Sequence, residues 1–81
     1  MRGLFRHEGK IYACAQFLGG RMEGVQSVTP GRGPRKGELS YEVFTEVGFR
    51  YIDVGDWIVR VDNNRLRVVK AYEFERDYER V

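Results

Sequence analysis

The chain has one cysteine, one histidine and no long apolar run. These absences argue against disulfide-bonded, secreted and membrane-spanning proteins. Because Cys14 is the only cysteine, no disulfide can form within the chain, which is typical of a reducing compartment. The first residues contain no apolar core of the kind found in a secretory signal. No apolar stretch approaches the length that spans a bilayer. These absences predict a cytoplasmic protein without membrane contact.

An excess of one charge is also missing, since 14 basic and 12 acidic residues leave a formal net charge of +2. This balance does not by itself predict nucleic-acid binding, and it does not fit an acidic mimic of nucleic acid. The basic residues are mostly arginine, whose planar group binds carboxylates and phosphates, although a GC-rich coding genome would give the same bias. The 81 residues predict a single domain with a modest core, so self-association or a binding partner would add stability.

The first half of the sequence predicts one strand and one helix. Residues 4–5 indicate a short strand that ends at Glu8 and Gly9. In residues 10–18, Ile11, Cys14, Ala15 and Leu18 recur at helical spacing before a double glycine, which favours a helix of about three turns. A strand over the same residues stays an alternative.

The middle of the sequence predicts strands around an irregular segment. Residues 25–28 indicate a short exposed strand, and residues 29–38, with two prolines and three glycines, predict a mobile surface loop. Residues 39–47 alternate between apolar and polar side chains, with Phe44 on the polar side, which predicts a half-buried strand. Gly48 then turns the chain into a second arm.

Residues 57–61 and 65–69 predict a β-hairpin whose two-residue type I′ turn is Asn63–Asn64. In that register the cross-strand pairs are Val61–Leu66, Val59–Val68, Trp57–Lys70, Ile58–Val69 and Arg60–Arg67. Two opposed arginines cost a few tenths of a kcal/mol or more unless anions lie nearby. A shift of one residue would separate them, but it would also break the matched apolar pairs.

The last residues fit two periods, because Phe74, Tyr78 and Val81 have helical spacing while the aromatic residues also alternate with acidic ones. A helical turn near 71–75 followed by an extended tail satisfies both patterns in part. The predicted fold is α+β: a small, twisted antiparallel sheet of four to five strands, curling towards a barrel, with one short helix. The predicted core consists of Phe5, Ile11, Leu18, Tyr41, Val43, Trp57, Val59, Val61, Leu66 and Val68.

Two groups of basic residues are the predicted binding site. Arg60, Arg65 and Arg67 would share one face of the hairpin and could bind a phosphate or an acidic patch of a partner. The alternative is internal pairing with Glu42, Glu46 or the acidic carboxyl-terminal segment. The loop at 29–38 adds Arg32, Arg35 and Lys36, either as an anion contact or as a solvated connector. Its glycines fit neither the dinucleotide nor the triphosphate loop pattern.

Catalytic, metal-binding and cofactor-binding patterns are not found. Cys14 and His7 could in principle form a nucleophile and base, but Cys14 is better explained as a small packed residue. Asp53 and Asp56 flank a turn, and turn stabilisation or capping explains them better than a metal site does. The sequence therefore predicts no catalytic residue, no metal ligand and no cofactor.

The second half, VGDWIVRVDNNRLRVVKAYEFERDYERV, resembles a group of small phage and prophage proteins with the pattern PGDWIVRG…GEFYPCKPDIFEATYE. The matching residues are Gly55, Asp56, Trp57, Ile58, Val59, Phe74, Glu75, Tyr78 and Glu79. Upstream, FLGGR at 17–21 is similar to the end of that family's early helix. Val54 and Val61 depart from the family's proline and glycine, and RVVKAY replaces its YPCKPD. The resemblance covers about half of the chain and implies phage origin, while the family's activity is unassigned.

These observations predict a non-enzymatic phage accessory protein that binds a host or defence protein in the host cytoplasm, with a homo-oligomer as a further option. The second hypothesis is a nucleic-acid or nucleotide-phosphate binding module that uses the arginine face of the hairpin. A small hydrolase built on Cys14 and His7 is a distant third.

Overall fold

The computed structural model describes all residues, 1–81, as eight strands and one helix. They are β1 (Arg2–His7), β2 (Lys10–Gln16), β3 (Val25–Val28), β4 (Ser40–Thr45), β5 (Gly48–Tyr51), β6 (Trp57–Asp62), β7 (Arg65–Val69), α1 (Ala71–Asp77) and β8 (Glu79–Arg80). The strands form a five-stranded sheet in the order β7-β6-β2-β1-β8 and a three-stranded sheet in the order β3-β4-β5. The α+β class is confirmed. The predicted antiparallel sheet of up to five strands and the single short helix are also present, whereas the three-stranded sheet was not predicted. The expected curl towards a barrel is wrong, because both sheets are open.

The predicted helix over 10–18 is wrong, since residues 10–16 form the strand β2. Glu8 and Gly9 both have positive φ, at 49° and 79°, and this tight turn folds β2 back onto β1. The other edge of β2 pairs with β6. Long-range pairing along both edges therefore overrides the local helical spacing. Ile11 and Leu18, which were predicted to be buried, are 53% and 63% exposed.

The hairpin of β6 and β7 is confirmed, but its register is not the predicted one. Asp62 pairs with Arg65, so the two asparagines still form the turn, yet a bulge at Val61 shifts every pair beyond it by one residue. Arg60 consequently lies opposite Leu66 and not opposite Arg67. The type I′ turn is also wrong, because neither asparagine has positive φ.

The five-stranded sheet is packed on both faces. One face carries α1 and an aromatic cluster in which the ring of Trp57 stacks on that of Phe74, with centroids 3.9 Å apart. On the other face, Ile58 packs against residues of the three-stranded sheet, in a cluster completed by Phe17, Val43 and Ile52. The prediction of a buried position is confirmed for Phe5, Val43, Trp57 and Val59, whereas Tyr41, Val61, Leu66 and Val68 are only partly buried.

The carboxyl-terminal segment confirms the predicted helical turn followed by an extended tail. The helix runs to Asp77, two residues further than expected, and β8 then pairs with β1. The helix begins beside the buried carboxylate of Asp56, which accepts hydrogen bonds from the N–H groups of Asp53 at 3.0 Å and Ala71 at 3.2 Å. The predicted turn-stabilising role of Asp56 is thereby confirmed. The chain has no helix with the length and apolar character that a membrane crossing would need.

Candidate functional site

The three hairpin arginines do not share one face. Residues directly opposite each other in an antiparallel pair point to the same side of the sheet. Arg60 shares its side with Leu66, and Arg67 shares the other side with Val59. The bulge at Val61 causes this division, because one extra residue reverses the alternation of the strand. The predicted common arginine surface is therefore wrong.

Two of these arginines are paired within the protein, and the pair of Arg67 with Glu46 is one that the alternative interpretation expected, whereas the pair of Arg65 with Asp62 is not. Arg67 donates from Nη2 to Oε1 of Glu46 at 3.2 Å, and this hydrogen bond raises the pKa of Arg67. Arg65 donates from Nε to Oδ2 of Asp62 at 2.6 Å. Arg60 has no carboxylate oxygen within 4.0 Å, and its nearest polar partner is the carbonyl of Asn63 at 3.5 Å. Of the three hairpin arginines, only Arg60 is thus left without a carboxylate partner and able to bind an external anion.

The basic loop is irregular, as predicted, and is held by turn hydrogen bonds such as that from the N–H of Gly37 to the carbonyl of Pro30. Arg35 donates to both carboxylate oxygens of Asp53, at 3.2 and 3.4 Å, and lies 4.3 Å above the ring of Tyr51. The hydrogen bond from Arg35 lowers the pKa of Asp53. Arg32 and Lys36 form no ion pair. The loop therefore offers two unpaired cations, and its mobility stays a prediction.

An exposed aromatic surface lies on the three-stranded sheet, formed by Phe44, Val47, Phe49 and Tyr51. Phe44 of β4 pairs directly with Phe49 of β5, and their ring centroids are 5.0 Å apart in an edge-to-face arrangement. The two residues are 65% and 53% exposed, and Val47 in the connecting turn is 64% exposed. Tyr51 follows Phe49 on the same side of β5. The clue in the sequence was Phe44 itself, an aromatic residue on the polar side of its strand.

A groove crosses the five-stranded sheet on the side that carries Arg60. It encloses about 410 Å³, within the range of ligand-sized clefts. Leu4 of β1 and Ala13 of β2 form part of its floor, Arg2 and Arg60 stand at its sides, and the turn at 22–24 forms one wall. Nothing local in the sequence indicated this groove, because it depends on β2 lying between β1 and β6.

Cys14 and His7 are not brought together. Cys14 lies opposite Gly3, four residues along β1 from His7, which is about 13 Å in an extended chain. Burial raises the pKa of the Cys14 thiol to about 11, so the nucleophilic thiolate is disfavoured near neutral pH. His7 stacks on Tyr78 with centroids 4.3 Å apart. The arrangement does not provide a nucleophile next to a base.

No protein-family model, no curated protein and no solved structure matches this chain. The resemblance to small phage proteins accordingly stays a prediction.

Proposed function

We propose that this chain is a non-catalytic accessory protein, of the phage type that its carboxyl-terminal half resembles, which binds a host or defence protein through the aromatic surface. The observation that carries the proposal is the exposed pair of Phe44 and Phe49. Large apolar side chains that cluster on a surface are typical of binding interfaces, whereas single exposed ones are common everywhere.

The aromatic surface has the physical properties of an interface centre. Complete burial of an aromatic side chain removes roughly 150–250 Å² from water. Because Phe44 and Phe49 are 65% and 53% exposed, a partner that covers both would bury roughly 180–300 Å² of them. Both rings project from paired strands, and a side chain with only two rotatable bonds loses little entropy on binding. Aromatic residues in such central positions carry much of the energy of protein–protein association.

The charges next to this surface favour a protein partner over a phosphate. Glu42 lies opposite Tyr51 in the register of β4 and β5, so its carboxylate is on the same side of the sheet. It accepts a hydrogen bond from Nε2 of Gln26 at 2.7 Å. A carboxylate beside the exposed rings repels a nucleic-acid backbone, while it can form part of the polar rim of a protein interface.

Single-stranded nucleic acid is the second candidate, and one observation supports it. Tyr51 lies beside the basic loop, where Arg35 contacts its ring, and Arg32 and Lys36 are the unpaired cations of that loop. Aromatic rings next to cations are typical of proteins that stack bases and neutralise phosphates. This interface would use the loop and the aromatic surface, not the hairpin face that was first predicted.

The test compares capture of host proteins by the wild type and by a Phe44→Ser/Phe49→Ser double variant. Tyr72→Ser is the matched control, since Tyr72 is a 66% exposed aromatic residue on α1. We expect a partner captured by the wild type and by the control to be lost with the double variant. We also expect capture to persist as salt is raised from about 50 to 200 mM, because apolar contacts do not depend on counterion release.

Equal capture by the wild type and the double variant would contradict the proposed interface. Binding of a labelled oligonucleotide that weakens steeply over the same salt range, and that requires Arg32 and Lys36, would establish the second candidate instead. Thermal unfolding of each variant verifies that the substitutions, all at exposed positions, leave the fold intact.

A further inference from the structure

The groove side of the five-stranded sheet is only partly covered by the second sheet. Along β2, Ala15 lies at the covered end, since its partner Ile58 packs in the cluster between the sheets. Ala13 is further along the strand and is exposed. Next to it, Leu4 and Ile11 are 54% and 53% exposed. The uncovered end of this face is therefore a small apolar floor.

Three arginines surround this floor, and none of them is paired with a carboxylate of the protein. Arg2, Arg6 and Arg60 all point to this side, because they pair with Ala15, Ile11 and Ala13 of β2 respectively. All three are exposed, and none has a carboxylate oxygen within 4.0 Å. Arg65 and Arg67, which lie on the opposite side, are both paired.

The wall of the groove is a defined turn. The N–H of Val25 donates to the carbonyl of Met22 at 3.1 Å, and Gly24 has a φ of 87°, a conformation that favours glycine. Leu66 approaches to 3.6 Å of the position that a side chain at residue 24 would occupy. Glu23 in this wall is the only acidic residue that lines the groove.

We propose that this groove binds an extended acidic segment of a partner protein. A guanidinium binds a carboxylate through two parallel hydrogen bonds, and the two arginines at the sides of the groove are free to do so. The floor, which includes Leu4, Ala13 and Ala15, accepts an apolar side chain between the two acidic residues. No aromatic side chain lines the groove, so a nucleic acid would find phosphate contacts there without a stacking platform.

The geometry of the sheet gives the spacing of the acidic residues. Arg2 and Arg60 lie on either side of β2, two strand spacings apart, which is about 10 Å, and two residues apart along the strands, which is about 7 Å. The combined separation is about 12 Å, which corresponds to roughly four residues of extended chain. Residues four apart on a strand also point the same way, so the partner would carry acidic residues at i and i+4.

The test is a titration of the labelled protein with the peptide Ser-Asp-Thr-Leu-Thr-Asp-Ser, followed by NMR. We expect millimolar peptide to shift the amide signals of Leu4, Ala13 and Gly24. Replacing both of the peptide's aspartates with asparagine should remove the response. In the protein, an Arg2→Gln/Arg60→Gln double variant should bind about tenfold more weakly, because each exposed ion pair accounts for a factor of roughly two to five. Arg67→Gln is the matched control and should bind as the wild type does.

Three results would overturn the proposal. The first is that 5 mM peptide (about the upper limit for weak binding) does not change the amide signals of the groove residues. The second is that the asparagine peptide binds as well as the aspartate peptide. The third is an oligothymidine that shifts these amides while the acidic peptide does not. The proposal does not rest on the aromatic surface, and the Phe44→Ser/Phe49→Ser variant should give unchanged groove shifts. Each of the two proposals can therefore be contradicted without the other.

Discussion

Replacing Asp56 with alanine removes the carboxylate that joins the turn before β6 to the start of α1. Its side chain is only 7% exposed, and it accepts hydrogen bonds from the backbone N–H groups of Asp53 and Ala71. Lys70 also donates to it, with Nζ 3.1 Å from Oδ2. Partial burial opposes the charge of Lys70, but Asp56 and Asp53 together raise its pKa.

The expected cost follows from these contacts. Each backbone N–H that loses its acceptor costs about 1–1.5 kcal/mol. The loss of the Lys70 contact adds less than about 1 kcal/mol, because that side chain is 45% exposed and keeps a second contact with Asp53. The total, about 3 kcal/mol, is most of the roughly 3–5 kcal/mol that is typical of a core this small. Asp56→Asn keeps one acceptor oxygen and should cost about half as much.

Urea unfolding measured by Trp57 fluorescence is a suitable assay, because the indole stacks on Phe74 of α1 and reports directly on helix docking. Lys70→Ala is the matched control, since it removes the ion pairs with Asp53 and Asp56, leaves the backbone hydrogen bonds of Asp56 in place and should cost about 1 kcal/mol or less. An Asp56→Ala variant that loses less than this control would refute the reasoning. The helix would then be held by aromatic packing alone.

Three further measurements test separate features. Burial raises the pKa of Cys14 from 9.0 to about 11, so the folded state keeps a proton that the unfolded chain releases. The contribution of Cys14 to the free energy of unfolding should be fully present below pH 9 and should fall by up to roughly 2–3 kcal/mol between pH 9 and 11. In urea titrations, Cys14→Ala should remove this part of the pH dependence. A double-mutant cycle on Arg67 and Glu46 should give a coupling of about 0.5–1 kcal/mol, and a coupling of zero would show that the pair is not formed. Glu8→Asn should raise the melting temperature by relieving about 0.5–1 kcal/mol of left-handed strain, whereas Asn63→Gly should lower it, because residue 63 has negative φ.

The parts of the fold that were predicted correctly are those whose sequence patterns lie within a few neighbouring residues. Alternation indicated the strand at 40–45, the paired apolar runs around Asn63–Asn64 indicated the hairpin, and mixed periodicity indicated α1 and the tail. The helix expected at 10–18 failed because Ala13 and Ala15 suit both structures, and the deciding partners lie in β1 and in β6. Local spacing cannot report hydrogen bonds to segments that are distant in the sequence.

The candidate site could be predicted less well than the fold, because it depends on a bulge, on the strand order and on strand pairing. The bulge at Val61 is one unpaired residue, and no turn or glycine marks it in the sequence, yet it moved Arg60 to the opposite side from Arg67. The groove requires the strand order, which places β2 between β1 and β6. Phe44 was assigned to the polar side of its strand, and its exposure followed from that pattern. Its partnership with Phe49 required the pairing of the two strands.

The division of the arginines between two faces is the structural claim on which the groove proposal depends, and proton–proton distances across the hairpin test it most directly. We expect inter-strand nuclear Overhauser effects between the backbone protons of residues 60 and 66 and between those of residues 58 and 68. Effects between residues 60 and 67 and between 59 and 68 would instead show an unbulged hairpin. Arg67 would then lie on the same side as Arg60, which its pairing with Ala13 keeps on the groove side, and Leu66 would leave the groove that it lines.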